Sequence, residues 1–345
     1  MKIDYYVFVM NEFGQEDYLQ MVAKHHSHIF KNFEFDMSVA SKLGKLAIYC
    51  KETDKFYNEN WEEINLQDKV VFPRCTIPEL KGLYDRLETT GATLASTKED
   101  YDIIMDWPKY VSPNHHEVIP TTYGEFLENF DYYKEKYGRV FFKTKYKNIS
   151  TEVNNVMCLG ALGGFKSIDS DNGLLSNESS NEADDLMNSF FSKPMYLVYT
   201  SDYGDHNDLR FGSLADDAEV YVEPYLNVVK DWRYKLPIEY RSFVVDGNFV
   251  TSRSWVPTTS RVPYEVKELT QEVIDAMPND MNKTFVVDIM ECKDKFGRHY
   301  YDLCEINPIA CSGYEKGNSI FLLEDIENID YHYPKVDSIH DDPSM

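Results

Sequence analysis

The chain has 345 residues, 43% hydrophobic and 14% aromatic, which suffices for two or three compact units with cores of their own. Its formal net charge of −24 counts against a broad nucleic-acid binder, which carries a basic surface. No apolar run approaches the about 18 residues of a membrane-spanning helix, so no membrane partner is expected and the expected location is cytoplasmic, in a bacterium or a phage-infected host.

In chain order, MKIDYYVFVMNEFG reads as a first strand and not a secretory leader, because Asn11 and Glu12 interrupt its apolar run. HHSH, with His25, His26 and His28, reads as a surface cluster, since no acidic or cysteine partner lies nearby. KLAIYCK and KVVFP read as further strands. In IPELKGLYDRLETTG, Leu80, Leu83, Tyr84 and Leu87 fall at helical spacing, and Gly91 suits the C-terminal cap. ATLA reads as a short strand, and Ser96 to Glu99 has capping-box form and opens a short helix. This alternation predicts a small α/β layer. The cysteines Cys50, Cys75, Cys158, Cys292, Cys304 and Cys311 form no CxxC pair and read as buried thiols of a reducing compartment.

Residues 108–122, rich in proline, read as a linker in which His115 and His116 have no assigned role. Thr122 with Glu125 caps a predicted helix carrying Phe126, Phe130, Tyr133 and Tyr137 and ending at Gly138. RVFFKTKYK is a strand. The acidic stretch 166–193 reads as a mobile loop or insertion. Its DSDNG is no Ca²⁺ loop, for the glycine comes one place early and no glutamate closes it. MYLVYT and EVYVEPYL are strands, and EYRSFVVDGNFVTSRSW is a hairpin turning at Asp246-Gly247. A helix at LTQEVIDAM precedes a last hairpin, TFVVDIM to HYYDLCEINP, with its turn over Asp294 to Gly297. The tail from Asp330 reads as poorly ordered.

Chemistry gathers on the strands. Alternation sets Lys143, Lys145 and Lys147 on one face, either a lysine-guarded edge or a phosphate-binding face. Arg241 shares a face with Glu239 and Phe243 inside an apolar strand. Its guanidinium needs a specific partner, a phosphate or a carboxylate, with an internal salt bridge to Glu239 as the alternative. A two-residue turn at Asp246-Gly247 places Arg253 on the opposite face from Arg241. In the last hairpin the expected turn sets Asp288 opposite Leu303, with Glu305 its diagonal neighbour on the same face and Asp302 on the other. Asn307 joins Glu305 two residues on. Carboxylates this close call for a cation, and oxygen ligands suit Mg²⁺. A hydrogen-bonded strand end before Pro308 is the bland alternative.

In this order the motifs resemble the ATP-grasp superfamily over about residues 68–312. VVFPRCTIPELKGLYDRLETTGATLASTKEDYD resembles the pre-ATP-grasp region of a phage and bacterial clade. FFKTKYKN resembles that clade's paired lysines, at Lys143 and Lys147, and EYRSFVVDG its Glu-x-Arg-x-Phe hairpin. A distant similarity reaches the eukaryotic cell-division-cycle protein that assists assembly of a translation initiation factor. Thr144 stands where the clade often has aspartate, and Cys75 where glycine is common, which leaves the role of Arg74 open.

The resemblance implies an α/β (α+β) fold whose two lobes grip ATP. A pre-ATP-grasp domain would occupy residues 1–110, the small lobe 111–222, the large lobe with the metal site 223–330, and a tail 331–345. It implies ATP and Mg²⁺ as cofactors. Lys143 and Lys147 would hold the α- and β-phosphates, and Arg241 the γ-phosphoryl or acyl-phosphate oxygens, with Arg241 and Lys147 the catalytic pair. Glu223 would meet the ribose, and Tyr225 and Leu226 would line the adenine hinge. Asp288, Glu305 and Asn307 would hold the metal. The implied activity joins a small-molecule or peptide carboxylate to an amine through an acyl phosphate. A second reading is a nucleotide-binding assembly factor acting on a protein partner. A third, phosphotransfer in nucleotide or RNA repair, is disfavoured by the charge.

Overall fold

The computed structural model describes residues 2–10, 36–37, 39–75, 77–137, 140–145, 156–162, 168–169, 174–175, 196–200, 209–212, 216–224, 226–231, 237–254, 262–312 and 322–327. Among these residues the strands form three main sheets and a two-stranded ribbon, and the fold class is mixed α/β, as the sequence predicts.

The first sheet holds β1 (Tyr5–Met10), β2 (Leu46–Cys50), β3 (Lys55–Tyr57), β4 (Val70–Arg74) and β5 (Thr93–Leu94), in the order β3-β2-β1-β4-β5. Central β1 runs parallel to β2 and β4, and consecutive Tyr6, Val7 and Phe8 are all buried, as a parallel strand covered on both faces requires. Helix α1 (Ile77–Glu88) covers one face with Leu80, Leu83, Tyr84 and Leu87. Each of the leucines contributes roughly 1.5–3 kcal/mol by burial.

Helix α2 (Lys98–Met105) opens one residue later than the sequence predicts. Thr97 is the N-cap: its hydroxyl accepts from the Asp100 amide at 3.0 Å, and the Asp100 carboxylate accepts from the Thr97 amide at 2.8 Å. Ser96 is fully buried with its hydroxyl 3.0 Å from that of Tyr84, so it is engaged elsewhere.

The second sheet comprises β6 (Ile119–Thr122), β7 (Val140–Thr144), β8 (Val156–Leu162), β11 (Tyr196–Thr200), β12 (Leu209–Gly212) and β13 (Glu219–Pro224), ordered β12-β11-β8-β7-β13-β6. The ribbon is β9 (Ile168–Asp169) with β10 (Leu174–Leu175). The end of the stretch read as a linker is therefore an edge strand, and an edge is where a sheet tolerates Pro120. The single helix predicted after Thr122 is two, α3 (Tyr123–Glu128) and α4 (Phe130–Tyr137), parted at Asn129. There the Asn129 side-chain amide donates to the Glu125 carbonyl at 2.8 Å. Apart from the ribbon, the acidic stretch 166–193 lies outside the described residues, as do HHSH, Gly138 and the tail from Asp330.

The third sheet, ordered β15-β14-β16-β17, holds β14 (Glu239–Val245), β15 (Asn248–Ser254), β16 (Phe285–Lys293) and β17 (His299–Pro308). One face packs Val244, Phe285, Val287, Ile289, Leu303 and Ile306 against α2 and α5 (Tyr264–Ala276). The opposite face packs Phe243, Val245, Val250 and Val286 against Tyr6, Phe8, Leu46 and Ile48 of the first sheet, with Leu323 and Ile326 of α6 (Leu322–Glu327). Beyond this core the same face turns polar. No helix among the described residues is long and apolar enough to cross a membrane.

Candidate functional site

Two bulges set what this face presents. On the β14–β15 hairpin, Asp246 and Gly247 make the expected two-residue turn, at φ 51° and 71°. Phe243 then faces Thr251 while Val244 faces Phe249, leaving Val250 as an extra residue. The bulge shifts the far end by one, so Arg253 lies directly opposite Arg241 and shares its face, correcting the expectation.

The β16–β17 hairpin repeats the device. Its strands part after Lys293 and resume at His299, one residue later than predicted. Ile289 faces Leu303 while Asp288 faces Glu305, leaving Cys304 extra. Glu305 is thus the direct cross-strand partner of Asp288, not its diagonal neighbour. Asp302 pairs with Met290, two residues from Asp288, and so joins the same face instead of the other one.

Asp288 is fully buried, and Arg241 grips it with two parallel bonds, Nε to Oδ1 and Nη2 to Oδ2, each 2.8 Å. The carboxylate that Arg241 grips is therefore that of Asp288, with Glu239 near enough to act on the guanidinium by charge. The Asn307 amide nitrogen donates to Asp288 Oδ2 at 2.7 Å and to Glu305 Oε1 at 2.8 Å. An amide thereby bridges two carboxylates set face to face, where a flip of the amide would turn its oxygen to the same place. Glu239, half-buried on the same face, has its carboxyl pushed up to about 8 by burial and by Asp288, against the opposing pull of Arg241.

Lys143 reaches this cluster from the second sheet. Its ammonium donates to the Cys304 carbonyl at 2.8 Å and pairs with Glu223 Oε1 of β13 at 2.9 Å. Burial pulls the Lys143 pKa down, but the Glu223 and Glu305 carboxylates outweigh it and hold the group charged. Glu223 is buried too. Burial alone would raise its carboxyl, yet Lys143 and His116 hold it below the usual carboxylate range. His116, to which the sequence assigned no role, places Nε2 3.3 Å from Glu223 Oε2 and Nδ1 2.6 Å from Asp302 Oδ2.

The structure therefore brings Lys143, Glu223, Arg241, Asp288, Glu305 and Asn307 together. It separates the expected lysine face: Lys145 is buried in ion pairs with Asp106 at 2.7 Å and Glu219 at 3.0 Å. Leu226 follows β13 with its carbonyl accepting from the Val228 amide. Lys147 and Tyr225 lie outside the described residues.

Arg74 has a definite place. Fully buried, it donates to Asp36 Oδ2 from Nε at 3.0 Å and Nη2 at 2.6 Å, and from Nη1 to the carbonyls of Ile309 at 2.5 Å and Ser312 at 2.6 Å. It braces the turn that follows Asn307 against the first sheet.

The donor set of the cluster is oxygen-rich and hard: two carboxylates and an amide. Among the described residues no group of three or more His, Cys, Asp or Glu side chains is placed to hold a metal ion. Mg²⁺ needs only one or two carboxylates and takes phosphate and water for the rest.

No family model and no curated protein matches the chain. Solved structures do. A D-cycloserine synthetase aligns at 8% identity over 94% of this chain and 99% of its own, with TM-score 0.46. D-alanyl-alanine synthetase A from Vibrio cholerae O1 biovar eltor aligns at 11% identity over 96% and 98%, with TM-score 0.42. A D-alanine–D-alanine ligase from Bacillus anthracis, complexed with ATP, aligns at 14% identity over 88% and 85%, with TM-score 0.40.

Proposed function

We propose that the chain is an ATP- and Mg²⁺-dependent ligase of the ATP-grasp type, joining a small-molecule or peptide carboxylate to an amine. The observation that carries this reading is the meeting of Lys143 with the face that bears Arg241, Asp288, Glu305 and Asn307. A half-buried ammonium, a guanidinium and a pair of facing carboxylates are the groups a metal-bound triphosphate requires.

In the proposed reaction a substrate carboxylate oxygen attacks the γ-phosphorus of ATP as the bond to the bridging oxygen breaks, and ADP leaves. The amine then attacks the acyl carbon, expelling phosphate and giving up a proton. Mg²⁺, held by Asp288, Glu305 and Asn307, would offset charge on the phosphates. Lys143 would exchange the Cys304 carbonyl for a phosphate oxygen, and Arg241 would meet the transferred group. Fixed cations of this kind act on charge that grows in the transition state. Glu223 acts first by holding Lys143, and lone pairs left on its oxygens can meet the nucleoside. Lys147, Tyr225 and Leu226 complete the proposed nucleotide contacts.

The test is ATP turnover against a panel of carboxylates and amines. Glu305→Ala should lower Mg²⁺-dependent turnover by about 10²- to 10³-fold, and full turnover in that variant rejects the metal assignment. Tight ATP binding without turnover on any panel member would favour an assembly factor instead.

A further inference from the structure

We propose that His116 is a positioning residue of the nucleotide site, holding Glu223, and through Glu223 the ammonium of Lys143, in the arrangement that receives the phosphates. This rests on the proposed nucleotide site and adds a residue to it.

Four side chains and one carbonyl close into a ring of contacts. Asp302 of β17 bonds His116, His116 bonds Glu223 of β13, Glu223 pairs with Lys143 of β7, and Lys143 donates to the Cys304 carbonyl, back on β17. The side chains of His116 and Asp302 are 0% exposed and that of Glu223 5%. The stretch between residues 111 and 118 thereby ties the second sheet to the third beside the facing carboxylates.

A buried histidine that only fills space needs one donor and one acceptor. Here both ring nitrogens face carboxylates, and only the imidazolium donates from both. The four side chains then carry two positive and two negative charges. Loss of the imidazolium leaves an excess negative charge beside Lys143. The ammonium is drawn harder onto Glu223 and offers less to an incoming anion.

Asp302 is itself held firmly, because it also accepts from the backbone amides of Asn114 at 2.9 Å, His115 at 3.2 Å and Leu303 at 3.0 Å. The neighbouring groups are otherwise engaged. The His115 ring lies 4.5 Å from that of Tyr300, and Glu117 is bonded to Lys136 and Tyr137. Among the described residues the titratable groups facing His116 are thus Asp302 from β17 and Glu223 from β13, with Lys143 from β7 behind Glu223.

Burial by itself lowers the His116 pKa, but the hydrogen bonds and charges of Asp302 and Glu223 outweigh it and raise the value above the ordinary 6.5. A group so raised contributes fully below its ordinary pKa and loses its effect as pH climbs through the raised one. Nucleotide affinity should accordingly fall as pH rises through that raised value.

The experiment has two arms. In the first, ATP with Mg²⁺ is titrated into the unaltered chain and into His116→Gln across the pH range. His116→Gln should weaken binding by roughly tenfold or more below that value, the usual effect of removing a group that orients a contacting one, and should abolish the fall. Unchanged affinity and an unchanged pH profile overturn the role of His116 alone. In the second arm, ¹⁵N-histidine NMR of the ligand-free chain at pH 6.5, the ordinary pKa of the ring, reads the ring directly, with the signal identified by its loss in His116→Gln or, should that variant not fold, His116→Asn. Both nitrogens protonated is the predicted result, and a neutral ring overturns the proposal. A charged His116 in a chain that binds no nucleotide overturns the nucleotide reading and this role together.

Discussion

Arg74 shows how far a single side chain can serve architecture. Burial pushes the carboxyl of Asp36 up, and Arg74 offsets this only in part, so the pair fixes geometry more than it adds stability. Removing one partner is another matter. Arg74→Ala leaves a buried carboxylate unpaired and takes one donor from the Ile309 and Ser312 carbonyls, and should cost about 3–5 kcal/mol in urea unfolding. A loss under about 1 kcal/mol would show that the brace at Ile309 and Ser312 does not hold that turn. Glu239 is shifted in the same direction as Asp36. Its pKa of about 8 lies above the ordinary 4.5, so the fold favours the protonated form. The stability it contributes is complete below about pH 4.5 and is lost as pH rises through about 8. Glu239→Gln should therefore lose less melting temperature between pH 6 and pH 9 than the unaltered chain, and equal slopes would contradict the shift.

At the scale of elements, α2 tests how a capping box works. Thr97→Ala should cost about 1 kcal/mol, the usual worth of an N-cap. Asp100→Ala should cost more, because Asp100 also accepts from the backbone and side-chain amides of Asn282, at 3.0 and 3.1 Å. Equal losses by denaturant titration would contradict that second duty. The same helix shows what sequence can tell. Periodicity located α1, and turn chemistry located the Asp246-Gly247 hairpin, because both signals are local. The one-residue slip from Ser96 to Thr97 arose from Tyr84, which is near in space and distant in the chain. The two bulges escaped for a like reason: neither Val250 nor Cys304 differs in type from its neighbours, and only pairing reveals the extra residue. Each bulge brought one more polar side chain, Arg253 or Asp302, to the face that matters. His116 escaped because its partners lie 107 and 186 positions away.

Across the whole molecule, the candidate site sits where the second and third sheets touch, and the first sheet packs against the third through one shared core. In a chain of net charge −24, the half-buried cations at that seam are the local exception that an anionic ligand would seek. They are matched by Glu223 and Asp288, so an anion must exchange with those carboxylates or share their partners. Lys143→Met should consequently weaken nucleotide binding and also lower stability by about 3 kcal/mol, since it leaves the buried Glu223 carboxylate with His116 alone. The most direct measurement is calorimetric titration of a non-hydrolysable ATP analogue, with and without Mg²⁺, into the unaltered chain, Lys143→Met and Glu305→Ala. The account predicts saturable one-to-one binding that Mg²⁺ strengthens in the unaltered chain, that Lys143→Met weakens, and that loses its Mg²⁺ dependence in Glu305→Ala. Binding of equal strength in all three, or none in the unaltered chain, would contradict it.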